Sequence, residues 1–198
     1  MPELIRQKIW DPVTRCWHWI LVLSVGVGWA FGRYMTFDTI SWHFYLGYLT
    51  LALIVFRLVW GIVGPEPIRL KSLLPTPSAL WAYLRRIARR QPSGTRGHNP
   101  IGSISVLLML LSIAAQAITG LFIVSDDFFE SGPLAGYVSE AVSNRLTWWH
   151  HLNADILLAL VSLHVAAILF YLFWKRENLV IAMITGWKQV RQREEDFD

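Results

Sequence analysis

Residues 149–164 read WHHLNADILLALVSLH, three histidines in a stretch that is otherwise mostly Leu, Ala, Val and Ile. Followed to residue 174, it is one of four apolar runs, approximately 17–34, 43–63, 101–124 and 149–174. Each is close to the roughly 20 residues that carry a helix across a hydrocarbon core of about 30 Å. In lipid the backbone must satisfy its own hydrogen bonds, so each run predicts a helix. Together they predict an all-α fold, an integral membrane four-helix bundle forming a single domain over residues 1–198.

Composition agrees, since 54% of the 198 residues are hydrophobic, 11 are Trp and only 16% are charged. Cys16 is the only cysteine, so an internal disulfide is excluded, and the absence of C-x-x-C-H excludes covalently attached c-type haem. The opening MPELIRQKIWDPVTRCWHW is too polar for a signal peptide and is expected to be retained.

Basic residues cluster before the first run (Arg6, Lys8, Arg15), between the second and third (Arg69, Lys71, Arg85, Arg86, Arg89, Arg90, Arg96) and after the fourth (Lys175, Arg176, Lys188, Arg191, Arg193). The other two connections hold little beyond Arg33 and Arg145, the latter beside Asp126, Asp127, Glu130 and Glu140. The positive-inside rule then places both termini and the middle loop of this multi-pass chain in the cytoplasm. Within the middle loop, Leu80, Trp81, Leu84, Ile87 and Ala88 share one helical face, and Arg85, Arg86, Arg89 and Arg90 the other. This predicts an amphipathic interfacial helix over about 78–91, resting on anionic membrane lipid. The net charge of +4 therefore points to a membrane surface and not to nucleic acid.

Of six histidines, His18, His43, His150, His151 and His164 lie in or at the edges of the apolar runs, where an ionisable group is costly and usually functional. Their depths form two layers: His43 with His150 or His151 near the outer surface, and His18 with His164 near the inner one. At 100° per residue, His150 and His164 lie about 40° apart around their helix, and His151 and His164 about 140° apart. If both ligands of this helix face one bundle interior, the pair is His150 and His164. Two layers of facing imidazoles suit two haem irons, whereas zinc or copper wants further protein ligands that neither layer offers. With both axial positions filled, electron transfer is favoured over oxygen chemistry.

Gly47, one turn from His43, could admit a macrocycle or simply pack helices. Arg57 projects on nearly the same side as His43 at the inner layer, to pair with a haem propionate or to snorkel to headgroups. His98 reads as a boundary residue before the third run, Gln116 and Thr119 contact cofactor, quinone or another helix, and the Trp residues at run ends read as an aromatic belt.

The segments WDPVTRCWHW, WHFYLGYLTLALIVFRLVWGIVGP, GHNPIG, ITGLF, HHLNADILLALVSLHV and NLVIAMITGWK together resemble the bacterial cytochrome b561 and Ni,Fe-hydrogenase cytochrome b family, over about residues 10–188. The resemblance implies two non-covalent b-type haems, ligated by His18, His43, His150 and His164, with no ligand from the third span. Relatives typically carry an acidic residue after the first histidine of the fourth span. Here His151 stands in that place, while Ala154 keeps the register on His150. The resemblance also implies transmembrane electron transfer linking a periplasmic redox partner, a hydrogenase or a c-type cytochrome, to the quinone pool, with a leaning to the hydrogenase-subunit branch. The alternatives are a stand-alone quinone oxidoreductase acting on a small oxidant at a haem edge, and a haem-free transporter or proton relay. Whether the chain pairs as a homodimer is left open.

Overall fold

The computed structural model describes residues 4–125 and 130–191. Asp126, Asp127 and Arg193 lie outside the described residues. Helix predominates: α1 (Pro12–Arg33), α2 (Ile40–Val63), the short α3 (Pro77–Leu84), α4 (Pro100–Gly120), the long α5 (Glu140–Phe173) and the short α6 (Leu179–Thr185). Among the described residues, α2, α4 and α5 are long and apolar enough to cross a membrane. Their outward surfaces are oily, with Ile62, Leu111, Leu163 and Phe173 each more than half exposed.

The expected all-α fold needs one correction. The strands β1 (Leu4–Lys8) and β4 (Trp187–Arg191) form an antiparallel ladder pairing Leu4 with Arg191 and Lys8 with Trp187. The residue pairs β2 (Val124–Ser125) and β3 (Glu130–Ser131) form a second, minimal one. In β4 burial alternates with the period of a strand, Trp187 and Gln189 outward, Lys188 and Val190 inward.

Proline-capped starts set three of the helices. Asp11, Thr76 and Asn99 each precede a proline at the first helical position, where its missing N–H is no loss. The side chains of all three accept from the backbone N–H three residues on: Thr14 N to Asp11 Oδ1 at 3.0 Å, Ala79 N to Thr76 Oγ1 at 3.2 Å, and Gly102 N to Asn99 Oδ1 at 2.9 Å. At α6, Asn178 caps the start by accepting from Ile181 N at 2.9 Å, and Gly186 ends it at φ 86°. A Cβ at Gly186 would stand 2.5 Å from the Trp10 carbonyl oxygen, so the position is closed to other residues.

The chain divides into two compact units. One comprises Met1–Cys16, Leu58–Leu107 and Ser162–Asp198. Its core gathers Ile9, Trp10, Ile68, Ala182 and Val190 around the β1–β4 ladder. It also holds a buried ion pair, Lys188 Nζ to Glu177 Oε1 at 3.3 Å, with both side chains 5% exposed. Lys188 donates further to the Thr95 and Gly97 carbonyls, and Glu177 accepts from the Ser93 N–H and hydroxyl.

In the same unit the interfacial helix is shorter than the expected 78–91, since α3 ends at Leu84 and turns follow. Trp174 Nε1 takes the Ala88 carbonyl at 2.9 Å and Lys175 Nζ the Arg89 carbonyl at 3.1 Å, and the intervening backbone tightens to three-residue bonds such as Arg86 N to Tyr83 O. The arginines settle on aromatic faces instead, Arg85 over Trp81 and Arg90 over Trp174.

The other unit comprises Trp17–Arg57 and Leu108–Val161. Leu21, Ile54, Ile113 and Leu157, one each from α1, α2, α4 and α5, form its buried core. The third apolar run ends as helix at Gly120, earlier than expected, and the fourth begins at Glu140, well before residue 149. At 34 residues α5 is about 50 Å long, so its polar first turns extend beyond a core of about 30 Å. Glu140 in its first turn suits the positive end of the helix dipole.

Candidate functional site

Within this second unit α1 approaches α2 along a stripe of small residues, Ser24, Gly28 and Gly32, spaced four apart. Such spacing lets helix backbones meet closely. Ser24 Oγ bonds Thr50 Oγ1 at 2.7 Å and donates to the Leu46 carbonyl at 3.1 Å. The Gly28 carbonyl accepts from His43 Nδ1 at 2.9 Å, and a Cβ at Gly32 would stand 2.9 Å from His43 Cε1. The glycines therefore exist where the imidazole lies against α1.

His150 is held in the same way by α4. Its Nδ1 is 3.1 Å from Thr119 Oγ1, and a Cβ at Gly120 would meet its Cε1 at 3.3 Å. The His43 and His150 ring centroids are 6.2 Å apart, with planes at 78°. Imidazole nitrogens bind first-row metals at about 2 Å, which puts the centroids of two rings on opposite sides of one ion roughly 6 Å apart. With both Nδ1 atoms engaged by protein, Nε2 is the nitrogen each ring can offer. Among the described residues no group of three or more His, Cys, Asp or Glu gathers, so a metal held here must bring its other ligands, as haem iron does. Gly47, one turn along α2 from His43, is half-buried, yet a Cβ there would meet nothing within 4 Å. The donor set, the spacing and the open backbone fit a haem.

His151, next in sequence, is exposed. Arg57 is 4% exposed, with its guanidinium 5.7 Å from the Trp17 ring centroid, so it is drawn inward and not extended to headgroups. Trp17 is fixed in turn by donating Nε1 to the Leu53 carbonyl at 2.8 Å. His18 packs edge-on to Trp19 at 5.1 Å. His164 is half-buried on α5 and falls in the other compact unit, so the pairing of His18 with His164 rests on helix register. His98 lies against Trp10 at 4.9 Å just before α4, as a boundary residue.

The supporting residues Gly28, Gly32 and Gly120 were missed by a reading centred on histidines. The G-x-x-x-G of residues 28–32 was the available signal. Gly32→Ala is expected to push His43 off the Gly28 carbonyl and lower haem occupancy. Gly26→Ala, on an exposed position of α1 where a Cβ meets nothing, should keep it. The haem-to-protein ratio of the two purified variants checks this.

The family model described as prokaryotic cytochrome b561 matches residues 9–186, and the chain belongs to that family of haem-binding membrane electron-transport proteins. It is 24% identical to the probable Ni/Fe-hydrogenase B-type cytochrome subunit of Azotobacter vinelandii, covering 95% of this chain and 90% of that one. The corresponding proteins of Rhizobium leguminosarum bv. viciae, at 25% identity with 94% and 90% covered, and Escherichia coli K12, at 23% with 94% and 92%, are similarly related.

Proposed function

We propose that this chain is the membrane cytochrome b subunit of a periplasmic redox enzyme, a hydrogenase by the names of its relatives, and that it carries electrons between that partner and the quinone pool of the bacterial inner membrane. The observation that carries the reading is the His43–His150 ring pair at 6.2 Å, each Nδ1 anchored on a neighbouring helix. The outer haem is held by His43 and His150 and the inner one by His18 and His164. Along α5, fourteen residues separate His150 from His164, about 21 Å of rise with about 40° of rotation, which keeps both on one face.

Bound haem b supplies one-electron oxidation and reduction. The protein's part would be to hold one haem with His43 and His150 and the other with His18 and His164, which would leave small oxidants no open site. Arg57, buried at the inner depth, offers its guanidinium to a propionate, and Gly47 leaves room for a macrocycle beside His43. An electron moving between the layers crosses part of the bilayer, which couples the step to the membrane potential by at most about 2.3 kcal/mol per 100 mV.

The β1–β4 ladder supports four spans. Two strands bonded to each other lie on one side of a bilayer, so the crossings between them must be even in number. Beyond α2, α4 and α5, α1 is the fourth, and it too turns apolar side chains such as Leu23 and Val22 outward. The basic residues place that shared side in the cytoplasm.

Purified protein made with ample haem is expected to hold two haems per chain, with a b-type reduced-minus-oxidised spectrum. A ratio near zero sinks the proposal, and a ratio near one means that one histidine pair is misassigned. Clean spectra without turnover on a quinol analogue support the carrier, whereas turnover without a partner supports a self-sufficient quinone oxidoreductase.

A further inference from the structure

We propose that Thr119, on the helix that contributes no ligand, is a positioning residue for His150: its hydroxyl fixes the imidazole's tautomer and sets how strongly that ligand donates to the outer haem. The inference rests on the two-haem reading above and assigns the third long helix a part in it.

The Thr119 hydroxyl has a single hydrogen to give. Thr119 Oγ1 lies 2.7 Å from the Ala115 carbonyl and 3.1 Å from the Gln116 carbonyl, and both oxygens can only accept. The hydroxyl hydrogen thus has acceptors on its own helix, its oxygen lies 3.1 Å from His150 Nδ1, and the ring also bonds the Gln116 backbone carbonyl, which can only accept. The ring must donate. Nδ1 carries the proton, and Nε2 is left with the lone pair that an iron requires. A hydroxyl that is already donating is also a better acceptor, because hydrogen bonds in a chain polarise one another.

The neighbouring turn of the helix pair keeps this geometry from drifting. Asn153, three residues along α5 from His150, donates Nδ2 to the Ser112 carbonyl at 2.9 Å and to Gln116 Oε1 at 2.6 Å, and accepts from Ser112 Oγ at 2.9 Å. Ser112, Gln116 and Thr119 thus form a polar stripe on α4 whose last member meets the ligand, and Gly120 lets the ring lie flush against the helix. His43 obtains the same tautomer from a backbone carbonyl, which no substitution can delete. His150 has a backbone partner too, at Gln116, so Thr119 is the contact of the ligand pair that a mutation can remove.

The test uses full-length, haem-loaded protein and a redox titration followed in the visible band, with His150→Ala identifying the wave of the outer haem. Thr119→Val keeps the shape and removes the hydroxyl. Thr119→Ser restores the hydroxyl and removes a methyl. In Thr119→Val the outer wave is expected to move to higher potential, because an imidazole left with the Gln116 backbone as its remaining partner donates less to ferric iron, while the other wave stays put. Haem retention at that site should weaken by roughly ten- to hundredfold. Thr119→Ser should behave as wild type. If Thr119→Val loses the outer haem altogether, retention of haem by Thr119→Ser still supports the hydroxyl's role. Two unmoved waves in Thr119→Val, or equal changes in Val and Ser, overturn the inference and leave the two-haem reading standing. A wild-type protein with no wave that His150→Ala removes fails at the earlier reading instead.

Discussion

His150→Ala is expected to halve the haem content of the purified protein, and His151→Ala to leave it unchanged. The two residues are adjacent, yet about 100° of helical rotation separates them. His150 is half-buried against Thr119 and Gly120 with its ring 6.2 Å from that of His43, whereas His151 is exposed. On the proposed assignment the substitution would leave that haem with one imidazole, so its loss should be nearly complete while a haem held by His18 and His164 would be kept. Pyridine haemochrome analysis against protein concentration reads the ratio directly. Equal loss in both variants would overturn the angular assignment of the ligand.

The second large effect concerns stability. Glu177→Ala should destabilise the unit around the β1–β4 ladder by about 3–5 kcal/mol, because it leaves the Lys188 ammonium buried without its counter-charge. Burial already pulls Lys188 below the ordinary lysine range, with Glu177 opposing that pull. Without the carboxylate the folded-state value falls further, so the folded variant releases the proton at lower pH than the unfolded chain does. Its stability should then rise with pH through the alkaline range, and the gap to wild type should narrow as the lysine becomes neutral in both states. Thermal unfolding of the detergent-solubilised variant at neutral and alkaline pH measures both the cost and its slope. A change within about 0.5 kcal/mol, as for a surface site, would show that the pair carries little.

The long helices were legible because about 20 apolar residues in sequence have one cheap solution in lipid. The separation of His150 from His151 was legible for a related reason: a regular helix turns spacing into angle. The β1–β4 ladder was not, since two five-residue segments at opposite ends of the chain share no turn signal and pair through backbone groups common to every residue. Nor was the start of α5 at Glu140, because hydropathy sees only the part of a helix that lipid would cover. The overlong interfacial helix had a different cause. Its apolar and basic faces persist past Leu84, but the backbone there turns to three-residue bonds, Arg86 N to Tyr83 O and Ile87 N to Leu84 O, which sequence periodicity cannot register. Around the histidines, residue type pointed to the His43–His150 pair that the fold brings together, whereas Gly32 and Thr119 matter through what lies opposite them.

The ladder also has a consequence for biogenesis. Leu4 meets Arg191 across nearly the whole length of the chain, so β1 has no partner until the last strand has left the ribosome. Until then the N-terminal strand must wait as an unpaired edge while the hydrophobic segments enter the bilayer. Both this clasp and the buried Lys188–Glu177 pair depend on β4, so neither forms before that strand has emerged.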